Sequence, residues 1–246
     1  MNSTVEDIVK FSFCPHYYEQ DGEVDHLLSI GPIQKECLSL FRDFINFVFG
    51  KFLESGEKMS WTQCLSKWSK MHSECLSFRV SAEGHNQSLI SLKAFYDWFT
   101  FLKGVPLAVG YNCHSELYGH VLNGMVPVVL LNEDKTVSLI FIEPLKSVLE
   151  SRIWSIVRFG VLLSDQEVKV SGVYNLSYFD FGTKLAVTYF RPNSSYLDAA
   201  LSDVVNVLQS MQDNLSYMNV IACSSCPIRG TCEAVNSGVS SGNISS

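Results

Sequence analysis

Apolar residues recur at helical spacing over much of the first hundred positions. From Gly31 to Glu54 the series Ile33, Cys37, Leu40, Phe41, Phe44, Ile45, Val48 and Phe52 marks one long amphipathic helix. Residues 60–75 (Trp61, Leu65, Trp68, Met71) and 87–103 (Leu89, Leu92, Phe95, Phe99, Leu102) predict two more. Before them, residues 4–13 read as a short helix running into Cys14-Pro15, followed by an extended polar stretch to about residue 30.

The period then changes. Val105–Tyr111, Gly119–Leu131 and Lys135–Ile142 are rich in β-branched and aromatic residues, which predicts strands. Asn132-Glu133-Asp134 is turn chemistry and joins the last two into a hairpin. Helical spacing returns over 147–163 (Val148, Ile153, Trp154, Val157, Leu162), then Val168–Tyr178 and Lys184–Phe190 read as strands. Asn193-Ser194 caps a last helix over about 195–218, with Leu197, Leu201, Val204, Val205, Leu208 and Met211 on one side. Three strands, a helix, two strands and a helix imply an α/β fold with a mixed sheet.

Composition narrows this picture. A chain of 246 residues that is 47% hydrophobic can bury one large core. The expected organisation is a single domain over 1–234, with a helical insertion at about 31–103, a sheet core at about 105–218 and a segment at 219–234 that carries most of the chemistry. Residues 235–246, mostly Asn, Ser and Gly, read as a loose tail. No apolar run approaches the roughly 18 residues needed to span a bilayer. The N-terminus is acidic and lacks a signal peptide's basic start, so the expected location is cytoplasmic, in the host cell if the protein is viral. Net charge is −7, with 18 Lys and Arg against 25 Asp and Glu, so no global basic field marks a solitary nucleic-acid binder.

Eight cysteines in a reducing compartment point to metal ligation for some of them. Cys223, Cys226 and Cys232 stand at Cys-x2-Cys-x5-Cys spacing in CSSCPIRGTC, so three thiolates can share one inorganic centre. A fourth ligand is needed, and Cys14 in FCPHYYEQ is the candidate; a centre so built clamps the two ends of the chain together. His16 is a neighbour that could substitute. Tyr17 and Tyr18 are placed to shield the site, and Arg229 to offset its charge. Spacing alone leaves zinc and iron–sulfur both open. Cys37, Cys64, Cys75 and Cys113 lack partners at ligand spacing and read as ordinary buried thiols.

Taken together, Cys14-Pro15-x2-Tyr18, the distant Cys-x2-Cys-Pro-x4-Cys and an αβββαβ order between them resemble the PD-(D/E)XK superfamily. The resemblance is to RecB-like nucleases of the iron–sulfur type, such as CRISPR-associated RecB-like exonucleases and the AddB nuclease domain. It covers about residues 4–234, and it implies a [4Fe-4S] cluster on Cys14, Cys223, Cys226 and Cys232, with zinc as the alternative. It also implies where the catalytic metal would sit. The Gly-x2-Asp motif falls on Gly124-Met-Val-Pro127, so a proline stands at the aspartate's position. The Asp/Glu-x-Lys motif falls on Glu143-Pro-Leu145, where Glu143 survives, Leu145 replaces the lysine, and Lys146 is one residue out of register. Lys35 falls near the histidine of the first long helix, and the Gln and Tyr expected in SRIWSIVRFG are missing. Divalent cations need carboxylate oxygens, so the resemblance implies a degenerate site.

The expected function is therefore a catalytically inactive iron–sulfur nuclease-like protein of the kind found in phages or mobile elements. It would serve as a DNA-binding or structural subunit of a nucleic-acid machine, with protein partners and single-stranded or duplex DNA and no membrane. Two alternatives stand beside it: an active metal-dependent exonuclease with a migrated site using Glu143, and a zinc-stapled interaction domain. Other constellations carry less. Cys113 and His114 are strand neighbours and point to opposite faces, so neither Glu116 nor His120 completes a thiol site with them. Glu133-Asp134-Lys135 reads as a solvated turn, and Gly119-x4-Gly124 lacks the Gly-Lys-Ser/Thr of a phosphate loop.

Overall fold

A computed structural model describes residues 2–19, 32–74, 82–117, 119–144, 170–178, 185–191, 194–213 and 232. The chain opens on a three-residue strand, β1 (Asn2–Thr4), and turns directly into α1 (Val5–Phe13). Thr4 caps the helix. Its hydroxyl accepts from the Asp7 N–H at 3.1 Å, and the Asp7 carboxylate accepts back from the Thr4 N–H at 2.8 Å. Cys14 leaves the helix in extended backbone (φ −163°, ψ 117°), the conformation forced on a residue before proline. Pro15 then starts a second helical turn, α2 (Pro15–Glu19), at the position where a missing N–H costs least. The stretch after Cys14-Pro15, expected to be extended, thus begins as a helix.

Three helices follow near their expected places: α3 (Pro32–Ser55), α4 (Trp61–Glu74) and α5 (Ala82–Phe101). The strands are β2 (Val105–Leu117), β3 (His120–Leu131), β4 (Val137–Pro144), β5 (Val170–Tyr178) and β6 (Ala186–Phe190), and α6 (Ser194–Gln212) ends the described elements. They form one mixed sheet. β2, β3 and β4 are antiparallel neighbours, β4 and β5 are parallel, and β5 and β6 are antiparallel. The expected hairpin is present, closing on Leu131↔Val137, with Lys135 in the left-handed region (φ 64°) and exposed at its tip. Asp134 holds the turn by accepting from the Thr136 N–H and hydroxyl. The helix expected at 147–163 lies outside the described residues.

Each face of the sheet has its own core. Along β4 the even positions Ile140 and Ile142 pack with the α3–α5 layer, whereas Val137, Leu139 and Phe141 pack with α1 and α6. No helix among the described residues is long and apolar enough to cross a membrane.

Candidate functional site

The residues expected from the sequence to carry chemistry fall in two places. The first is a corner on β3. β2 occupies one edge of β3 along its whole length, while β1 and β4 divide the other. Residues 128–131 pair with β4; residues 121–123 pair with β1. Pro127 lies where one partner gives way to the other. It has no N–H to donate to a ladder, and the pairing with β4 ends one residue away, at Val128.

The change of partner has a counterpart on β2. Val109↔Val128 and Tyr111↔Val126 bracket Gly110 opposite Pro127, and Gly110 has φ +66°, a backbone open to glycine. Side-chain alternation resets at this point. Leu122 and Val126 belong to the core under α1 and α6, but Val128 and Leu130, also even-numbered, belong to the α3–α5 core. A change of one residue in phase exchanges the two faces. Pro127, at the aspartate position the resemblance implies, thus occupies the pivot of the sheet.

Glu143 lies near the end of β4, paired with Ser177 of β5; its side chain is outside the description, as are Leu145 and Lys146. The β3–β4 ladder stops at Val128↔Ile140, so among the described residues 141–143 pair with β5 alone. Beside them Arg42 of α3 donates from Nε to the Ile142 carbonyl at 3.3 Å. Sequence reading missed Arg42. Nothing in its spacing marks it, since an arginine on the polar side of an amphipathic helix is ordinary until the fold shows which strand it meets. Lys35 lies two turns earlier on the same helix, with its side chain undescribed.

The second place is the meeting of the chain ends. Ile8 and Phe11 of α1 share one cluster with Val204, Leu208 and Met211 of α6, and Tyr18 packs edge-on to Phe11 at 5.7 Å between ring centres. Cys14, at the end of α1, and Cys232 are both buried and neither is in a disulfide. Cys223, Cys226 and Arg229 lie outside the described residues, and so do the side chains of His16 and Tyr17. Two buried thiols, one from each terminal segment of the chain, are donors of the kind a sulfur-ligated centre uses. Among the described residues no three His, Cys, Asp or Glu side chains gather into a metal site, and two of the four expected ligands are not among them.

The other candidates stay apart. Glu116 is exposed, and Cys113 and His114 are successive residues of β2. His120 is buried at the start of β3, and its Nδ1, like the Ser3 hydroxyl on β1, has no hydrogen-bond partner among the described residues. Cys64 lies fully buried in the α3–α5 core, as an ordinary thiol should.

No protein-family model matches the chain, and no curated protein does. Solved structures do resemble it. One is a protein from Eubacterium rectale provisionally described as an exonuclease, at 11% identity and a TM-score of 0.51, covering 99% of this chain and 90% of that one. An alkaline exonuclease from Laribacter hongkongensis is similar more loosely, at 12% identity and a TM-score of 0.34 over 63% of this chain and 83% of that one. The first likeness establishes a nuclease-like mixed α/β fold; the second is too loose to carry an argument.

Proposed function

We propose that this chain is a nuclease-fold protein without metal-dependent cleavage, acting as a DNA-binding or structural subunit of a nucleic-acid-processing complex. One observation carries the reading: Pro127 stands in the stretch where β3 passes from β4 to β1, at the position of an expected metal ligand. A hard divalent cation is held by oxygens, and a proline side chain offers none. Glu143 alone cannot replace a paired carboxylate site. The nuclease-like fold supports nucleic acid as the partner, and the net charge of −7 favours protein partners that supply much of the grip. Origin in a phage or mobile element belongs to the same proposal.

In this reading Cys14, Cys223, Cys226 and Cys232 hold a [4Fe-4S] cluster that fastens the N-terminal segment to the C-terminal end. The packing of α1 on α6 and the burial of Cys14 and Cys232 support that role. Anaerobically purified protein should carry about four irons and four sulfides per chain. One zinc and no iron would favour the zinc-stapled interaction domain instead.

The function is tested by incubating the purified protein with single-stranded and duplex DNA in magnesium or manganese. The expected result is binding without cleavage. Cleavage that disappears in Glu143→Ala would overturn the proposal and establish an exonuclease with a migrated site.

A further inference from the structure

The β6 side of the sheet carries an aromatic surface that lies in neither candidate place. The register of β5 and β6 pairs Tyr174 with Tyr189. The two rings meet at 4.5 Å between centres, and Trp98 of α5 meets Tyr174 edge-on at 5.5 Å. Tyr174 and Trp98 pack against the α3–α5 core, so they anchor the outer ring. Tyr189 does not stop at its cross-strand partner. It leans over Gly172, where an added Cβ would collide with its hydroxyl oxygen and Cζ. A side chain at 172 would lift the ring, whereas glycine lets it lie down on β5. Tyr189 nevertheless remains 45% exposed, so covering the glycine uses only part of it. We infer that Tyr189 is a stacking platform for an unpaired base of single-stranded DNA, with Arg191 taking an adjoining phosphate. This rests on reading the chain as a DNA-binding protein of nuclease fold.

The observations favour a nucleotide over an apolar protein segment. Stacking needs a ring that holds its orientation, and Tyr189 is held between the Tyr174 ring and the bare backbone of Gly172. A nucleotide also needs a cation within reach of its phosphate. The register that pairs Val173 with Phe190 sets Gly172 opposite Arg191, one residue past the end of β6. The ring that leans over Gly172 therefore lies toward Arg191. Arg191 is exposed, and among the described residues it has no ion pair. Two residues of extended chain span about 6.6 Å, which an arginine side chain can bridge. On a chain of net charge −7, a half-exposed ring with an uncompensated guanidinium two residues on matches an anion that has an aromatic face. Bases inside a duplex already stack on both sides, so the platform selects single strands.

Photo-cross-linking to an oligonucleotide in which 5-iodouracil replaces thymine reads the stacking directly, and peptide mapping should place the cross-link on Tyr189. Fluorescence anisotropy over a range of salt concentrations then separates ring from charge. The unmutated protein should bind a single strand more tightly than a duplex of the same length. Tyr189→Leu should weaken single-strand binding about tenfold without changing the slope of log affinity against log salt, and should leave duplex binding as it was. Tyr189→Phe should keep the affinity. Arg191→Gln should lower the single-strand slope by about 0.7.

Cross-links confined to other residues, full single-strand affinity in Tyr189→Leu, or an equal loss for single strand and duplex would each overturn the platform while leaving DNA binding in place. A slope unaltered in Arg191→Gln would overturn the role of Arg191. An unmutated protein that bound neither form of DNA would overturn the DNA-binding reading and the platform with it.

Discussion

The two cores on either side of the sheet are built from different material. The core under α3, α4 and α5 is aromatic and interlocked: Phe44 meets Trp68 and Phe49 meets Phe99 at 5.3 Å, edge to face, and Phe41 meets Phe95 at 6.1 Å. Its three helices are consecutive in the chain, so its helix–helix pairs, such as Phe44–Trp68 and Phe49–Phe99, close loops shorter than one joining α1 to α6. The core under α1 and α6 is mostly aliphatic, from Ile8, Leu122, Val126, Leu139, Val204 and Leu208. It gathers segments from both ends of the chain and from the middle, so long loops must close before any packing is gained. Edge-to-face aromatic pairs contribute about 0.5–1.5 kcal/mol beyond their buried area. The first core therefore holds itself, while the second has reason to be stapled, and the buried thiols of Cys14 and Cys232 belong to the two chain ends it joins.

The comparison breaks most visibly in the aromatic core. Phe95 is fully buried and touches Phe41, Phe44, Phe49, Trp98 and Phe99. Phe95→Ala should cost about 3–5 kcal/mol of stability, because the interlocked rings around the cavity cannot collapse into it. Urea unfolding monitored by tryptophan fluorescence measures this. A cost below about 1 kcal/mol would mean that the layer is loosely packed and that the contrast between the cores is false.

The next test removes the proposed staple. Cys14→Ser should abolish iron binding and cost about 2–4 kcal/mol, the scale of a cross-link that closes a long loop. The loss should also be local. Amides of α1 and α6 should exchange much faster with solvent, while those of α3 and α5 keep their protection. A variant that kept its iron would remove Cys14 from the ligand set. Uniform loss of protection would show that the two cores fold as one unit.

How much of this was legible in the sequence follows the same division. The α3–α5 layer was readable because an apolar stripe at helical spacing is a local signal, and Phe41, Phe44, Phe95 and Phe99 are its core. The hairpin was readable because Asn132-Glu133-Asp134 is local turn chemistry. β1 was not readable. Asn2, Ser3 and Thr4 are polar, with no alternation, and become a strand by pairing with the edge of β3 at 121–123 that β4 does not cover. The continuation of β2 to Leu117 was missed for a related reason: Gly110 resets the alternation that would have announced it. At the corner, Pro127 and Glu143 could be placed by motif, but Arg42 could not, since its meeting with Ile142 spans a hundred positions of sequence. Of the four cysteines expected as ligands, Cys14 and Cys232 are buried, and Cys223 and Cys226 are outside the described residues.

The smallest expected effect is on stability and the sharpest is on chemistry, because under the proposed staple Cys64 and the ligand cysteines are protected by different means. Burial alone pushes the Cys64 thiol up to about 11 from an ordinary 9.0. At pH 8 about one molecule in a thousand then carries the reactive thiolate at that position. A folded-state value raised in this way stabilises the protein fully below pH 9 and loses that contribution as pH climbs toward 11, since the unfolded chain releases its proton first. Cys64 should therefore resist iodoacetamide at pH 8 in the native protein, with or without iron, and react only when denaturant opens the aromatic core. Cys14 and Cys232 should resist only while iron is bound and should become labelled after chelation, as α1 and α6 loosen. Peptide mapping of the labelled protein separates these cases. Labelling of Cys64 at the same rate as Cys14 after chelation would mean that the stapled core also supports the aromatic one, and that the two faces of the sheet are not independent.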